Sequence, residues 1–183
     1  VLRSEQFSKA LKQKHHMTSS VGEHTLRVTA SSLRISHALE KIGIKSDDRS
    51  IVQGALCHDL GILDRDKKYK NNRECCSQHP RDSVETAKEI FPYLDEKAER
   101  IIRSHMWPLS GPRPGSREEV IVSAADKYAS AKDIMYGTAL KGREKAKEVR
   151  IHISDRMKTA DYKEQLRRIK IQKKSPGQDN GGQ

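Results

Sequence analysis

Residues 55–63, ALCHDLGIL, set His58 and Asp59 side by side in an otherwise apolar stretch. Leu56, Leu60 and Leu63 read as the buried stripe of a helix. A buried carboxylate is costly unless it is paired or bound to a metal. The fold must therefore leave the pair exposed at a helix end, or bring something positive to it.

The 183 residues suit one domain with a tail, or one compact domain, and are enough to bury a real core. Hydrophobic residues make up 34% and aromatic residues 4%. The core is therefore aliphatic, which favours helices over an aromatic-rich sandwich. No run approaches the roughly 18 apolar residues of a membrane span. The start, VLRSEQFSKALKQKHHMTSS, lacks the apolar centre of a secretory signal. Val1 in place of Met points to numbering that begins inside a longer chain. The three cysteines, Cys57, Cys75 and Cys76, are odd in number and two are adjacent, so they form no disulfide framework. They point to a reduced, cytoplasmic setting.

The net charge of +11 is uneven. Residues 1–140 hold 23 Lys+Arg against 19 Asp+Glu, and residues 141–183 hold 13 against 6. This divides the chain into a helical domain over 1–140 and a basic, partly helical to disordered tail over 141–183.

The body reads as helices almost throughout. Ser4 caps a first helix carrying Phe7, Ala10 and Leu11. Val21, Val28, Ile35 and Leu39 share the face of a second, which stops at Gly43. Ser46, Asp47 and Asp48 open a third, ending near Gly61. Residues 64–78 read as a polar loop, with Cys75 and Cys76 on its surface. Pro80 then occupies a first helical position, and Pro92 ends that helix. Residues 95–107 form a short helix. Ser116 and Glu119 make a capping box for a last one, which closes at Gly137.

Five elements from different predicted helices follow in order: His24, His58-Asp59, His79, His105 and Asp126. Imidazole nitrogens and carboxylate oxygens are the ligands that iron, manganese and zinc accept. This order resembles the HD-domain superfamily of metal-dependent phosphohydrolases, over roughly residues 20–136. The resemblance implies an all-α HD-domain helical bundle with a basic C-terminal extension. His79 and His105 place it beside the binuclear subgroup. By position, His24, His58, Asp59 and Asp126 would hold a first metal, and Asp59 would bridge to a second held by His79 and His105. The cofactors implied are one or two divalent ions, iron, manganese or another transition metal. A hydroxide between them would be the nucleophile.

Two departures weigh against cyclic dinucleotides as substrate. Ile62 stands where relatives acting on them often carry Lys, and HMWPL replaces a GYP signature. The expected function is hydrolysis of a nucleotide-like phosphomonoester or phosphodiester. Alternatives are a metal-binding sensor or interaction domain, or a di-iron oxygenase of the same superfamily. Asp59, Lys127 and Arg81 are the candidate catalytic residues, the two cations because phosphate needs positive charge. Arg27 is a further cation within reach. Trp107 either walls the pocket or belongs to the core.

Cys75-Cys76-x-x-His79 is not read as a zinc site, because no second ligand pair exists. His37 lies ~20 Å along the helix axis from His24 and is structural. His15, His16 and His152 read as solvated. The expected partner is a small phosphorylated or nucleotide substrate, with no membrane. The tail has Tyr162 as its only aromatic residue, hence little stacking capacity for nucleic acid. The sequence leaves the oligomeric state open.

Overall fold

The structure, a computed structural model, describes residues 1–15, 19–158, 163–164, 167–168 and 170. These hold seven α-helices and no strand, only an isolated Lys14–Ser20 bridge. The helices are α1 (Glu5–Lys12), α2 (Val21–Glu40), α3 (Asp48–Cys57), α4 (Arg65–Lys68), α5 (Asn72–Ile90), α6 (Glu96–Ser104) and α7 (Arg117–Lys158). A single 3-10 turn, Leu60–Ile62, follows α3. The all-α expectation holds. The backbone clusters into two compact units, Val1–Gly137 and Thr138–Gln183. Among the described residues, no helix is long and apolar enough to cross a membrane.

Local chemistry sets most helix starts. Ser4 Oγ accepts the Phe7 N–H. Ser20 and Glu23 form a reciprocal capping box. The Asp47 carboxylate accepts from the Arg49 and Ser50 N–H groups. Each such cap contributes about 1 kcal/mol. Ser116 Oγ accepts from the Glu119 N–H, but the Glu119 carboxylate takes the Gly115 N–H rather than that of Ser116.

Three sequence expectations are corrected. Residues 64–78 are largely helical: α4 lies within them, and α5 starts at Asn72. Asn71 caps α5 by accepting the Glu74 N–H. Cys75 is therefore a buried residue of α5 and not part of a surface loop. Pro80 lies inside α5 and not at its start. A proline there leaves the carbonyl four residues back without its helical donor. That carbonyl, of Cys76, accepts Ser110 Oγ at 2.6 Å instead. Finally, α7 runs through Gly137 to Lys158. A helical glycine costs only about 1 kcal/mol, so it does not by itself stop a helix.

The core of the first unit has two apolar clusters. One gathers Phe7, Val21, Leu56, Leu60, Val84 and Ile102, and the other gathers Val28, Ile51, Ala55, Ile101, Val122 and Ala125. Neighbouring residues of α3 (Ala55 and Leu56) and of α6 (Ile101 and Ile102) serve different clusters. Such helices are buried on more than one side, which places the ends of α3 and α6 in the interior. Gly61 lets the turn after α3 press against α5. A Cβ there would stand 2.5 Å from the His79 carbonyl oxygen and would also meet the Ser83 amide nitrogen.

Candidate metal centre

Helices α3 and α6 end in the same way. His58 caps α3, and its Nδ1 lies 2.7 Å from the Ala55 carbonyl oxygen. His105 caps α6, and its Nδ1 lies 2.7 Å from the Ile102 carbonyl oxygen. Within α5, His79 Nδ1 lies 2.8 Å from the Cys75 carbonyl oxygen. A carbonyl only accepts, so Nδ1 carries the proton in all three rings. Each neutral ring then presents an acceptor lone pair at Nε2. A backbone carbonyl fixing the distal nitrogen is the arrangement that orients metal-ligating histidines.

Those Nε2 atoms converge on Asp59. Its Oδ1 lies 3.3 Å from His79 Nε2 and 3.5 Å from His105 Nε2. Its Oδ2 lies 3.2 Å from His15 Nε2, 3.4 Å from His58 Nε2 and 3.8 Å from His24 Nε2. Asp126, from α7, puts Oδ1 3.0 Å from His24 Nε2 and 3.7 Å from His58 Nε2. Helices α2, α5, α6 and α7 and the end of α3 therefore each supply donors. His24, His58 and His105 are at most 1% exposed, and Asp59 is 3%.

These groups suit a cation. Three sets of donors lie within 4.8 Å of one another: His15, His24 and Asp59; His24, His58 and Asp126; Asp59, His79 and His105. His79 Nε2 and His105 Nε2 stand 2.9 Å apart. Two lone pairs at that separation repel unless a proton or a cation lies between them. His58 Nε2 is buried and has no hydrogen-bond partner. Donors each ~2.1 Å from one ion would stand about 3.0–3.4 Å apart, the spacing seen here.

Metal-free, the cluster balances charge with protons. Burial opposes a charged His58, but the Asp59 and Asp126 carboxylates hold its pKa well above the ordinary value. Burial likewise lowers His79, and Asp59 more than compensates, pushing it up to about 9. His105 is lowered, first by burial and then by its charged imidazole neighbours. Burial raises Asp59 and Asp126, yet the surrounding imidazoles keep both well below the usual carboxylate range.

Asp59, His79 and Asp126 open onto a cavity of about 330 Å³. Ile62, Met106 and Leu109 form apolar wall, and Arg65, Lys127 and Asn72 add polar groups. Lys127 Nζ donates to the His105 carbonyl oxygen at 2.5 Å and to Ser123 Oγ at 3.2 Å. It thus also ties α7 to the end of α6.

All six residues expected as ligands meet in this one place. Lys127 lines the cavity, whereas Arg81 is exposed and does not. Arg27 bonds Asp133 Oδ2 at 2.6 Å. Trp107 is 41% exposed and is not part of the cavity lining. His37 sits on the surface, 2.9 Å from Asp48 Oδ2. His15 is not solvated, since its side chain is only 10% exposed and it lies against Asp59. His16 lies outside the described residues, as does the His152 side chain.

Sequence reasoning also missed Asp133 and Arg65. Asp133 Oδ2 accepts from Ser19 Oγ at 3.0 Å and lies 3.6 Å from His24 Nδ1. A signal for it existed: Asp126, Ser130 and Asp133 have the i, i+4, i+7 spacing of one helix face.

The HD-domain family pattern matches residues 21–131. The chain belongs to the HD-domain family. HD domains are all-α and of metal-dependent phosphohydrolase type, in keeping with the buried His/Asp cluster. No curated protein matches the chain. Among solved structures, it is similar to a conserved hypothetical protein from Pyrococcus furiosus, at 23% identity and a TM-score of 0.42. That match covers 61% of this HD-domain chain and 61% of the other.

Proposed function

We propose that this HD domain is a divalent-metal-dependent phosphohydrolase acting on a small, nucleotide-like phosphoester. The observation that carries this reading is the placement of Asp59. One carboxylate oxygen faces His79 and His105, and the other faces His58 and His24. Asp59 also lies on the wall of the cavity.

His24, His58, Asp59 and Asp126 would hold one cation, and Asp59, His79 and His105 a second. The chemistry such ions supply when bound is water made acidic near neutral pH and phosphoryl charge neutralised. The chain's own residues do the rest. Carbonyl-anchored histidines keep their Nε2 atoms fixed. Lys127 places a cation beside Asp126, 3.7 Å from its Oδ2, where a phosphate oxygen entering the cavity would meet it. Ile62, Met106 and Leu109 give an ester group an apolar wall and exclude water from it. The cavity volume is at the small end for ligand sites, which favours a mononucleotide-sized substrate over a dinucleotide.

A panel of phosphomonoesters and phosphodiesters, assayed in Mn²⁺ with and without oxygen, tests the reading. Phosphate release by the wild type, unaffected by oxygen and absent in Asp59→Ala, is expected. Metal and ligand binding without turnover on any ester would instead make the domain a sensor. A product formed only with oxygen would make it an oxygenase.

A further inference from the structure

The ligand set carried by the family order leaves out the imidazole nearest to Asp59 Oδ2. His15 Nε2 is 3.2 Å from that oxygen, closer than His58 at 3.4 Å or His24 at 3.8 Å. Its ring also lies against the His24 ring, with centroids 4.7 Å apart. With His24 and Asp59 it forms a donor set as tight as the other two. His24 and His58 are fully buried and absent from the cavity lining, whereas His15 lines it. His15 therefore supplies the nitrogen on the open side of this half of the centre.

The backbone around His15 is tied down on both sides. The His15 N–H donates to the Ser19 carbonyl, and the Val21 N–H donates to the Gln13 carbonyl, each at 2.9 Å. The Gln13 side chain then grips the segment following Asp59. Its amide donates to the Ile62 carbonyl at 2.9 Å and accepts the Asp64 N–H at 2.8 Å. One residue thus couples the segment before α2 to the turn that carries the His-Asp pair. Residue 15 also precedes the family-matched residues 21–131, so the family pattern does not include it.

We propose that His15 is a ligand of the metal centre, on the Asp59 Oδ2 side, delivered by the segment between α1 and α2. This inference rests on the metal-centre reading above. It makes the N-terminal helix part of the binding site and not only a cover for the core.

Co²⁺ titration of the metal-stripped full chain tests it, read by visible absorption, which reports coordination, and by calorimetry. The variants are His15→Ala, His15→Gln and, as a control at an exposed neighbour, Lys14→Ala. Helix content by circular dichroism identifies which are folded, and His15→Gln serves if His15→Ala is not. Expected is a folded His15 variant whose absorption differs from wild type and whose weaker binding step loses about tenfold or more in affinity. Lys14→Ala should match wild type. Wild-type spectrum and affinity in a folded His15 variant would overturn the proposal. So would unchanged metal binding with a raised KM, which would make His15 a substrate contact. A wild type that takes up no Co²⁺ would instead overturn the metal centre itself.

Discussion

His79 Nε2 and His105 Nε2 stand 2.9 Å apart, although each ring directs Nδ1 at a backbone carbonyl. Two acceptor lone pairs do not share that space without a positive charge. The helix ends create this conflict, and a cation beside Asp59 Oδ1 resolves it. His79→Ala or His105→Ala should therefore lower the metal content from two ions per chain to one and leave the first ion in place. Elemental analysis of the purified variants checks this. The same count in wild type and both variants would point to a single-ion site.

Asp59 belongs to both halves of the centre, so its loss should be felt by both. Asp59→Ala is expected to retain little metal and to lose more than about 100-fold in kcat. Asp126→Ala should spare the ion held by His79 and His105. A variant without Asp59 that binds two ions normally would contradict the geometry described.

The protonation of His79 gives a pH signature. Its pKa is raised from 6.5 to about 9 in the folded, metal-free chain. Between those values the folded state binds more protons than the unfolded one, so stability falls as pH rises. The contribution is complete below about pH 6.5 and lost on passing through about pH 9. With metal bound the order reverses, because ligation needs the neutral ring and improves with pH. Urea denaturation from pH 6 to pH 9.5, with and without Mn²⁺, should therefore give opposing trends. Parallel curves would argue against metal ligation by His79.

Gly61 has a packing role that a methyl group would disturb. Its N–H donates to Ser83 Oγ, and its carbonyl accepts the Tyr69 hydroxyl. Gly61→Ala forces backbone against backbone and should destabilise the fold by about 1–3 kcal/mol. Because the turn follows Asp59 directly, metal affinity should fall as well. Thermal melts and metal titration would show it, and a neutral effect on both would mean that α5 yields easily.

Lys127 combines structural and charge roles. Lys127→Met keeps the stem but removes the donor to the His105 carbonyl and the charge at the cavity. Expected are a raised KM for phosphoesters, a melting temperature lower by a few degrees and an unchanged metal count. A change in the metal count alone would shift its role from substrate to ligand shell.

The candidate ligands were legible because chemistry fixes their types: only a few residues bind borderline metals, and six stood in a recognisable order on separate helices. The caps at Ser4 and Asp47 were legible for a similar reason, since orphan N–H groups need short polar side chains. Other features depended on distant partners. Pro80 reads as a helix start until Ser110 is seen to satisfy the carbonyl it orphans. His15 reads as solvated because its neighbours are polar, and only the Gln13 contacts with Ile62 and Asp64 bring it inward. Cys75 reads as loop because the charged stretch around it hides one buried face of α5.

The central claim is that this buried His/Asp cluster holds two metal ions. Its most direct test is the metal content per chain of protein purified without chelators, measured again after Mn²⁺ is added and the excess removed. Two ions per chain are predicted. No metal as purified, and none taken up from Mn²⁺ or Fe²⁺, would contradict the account.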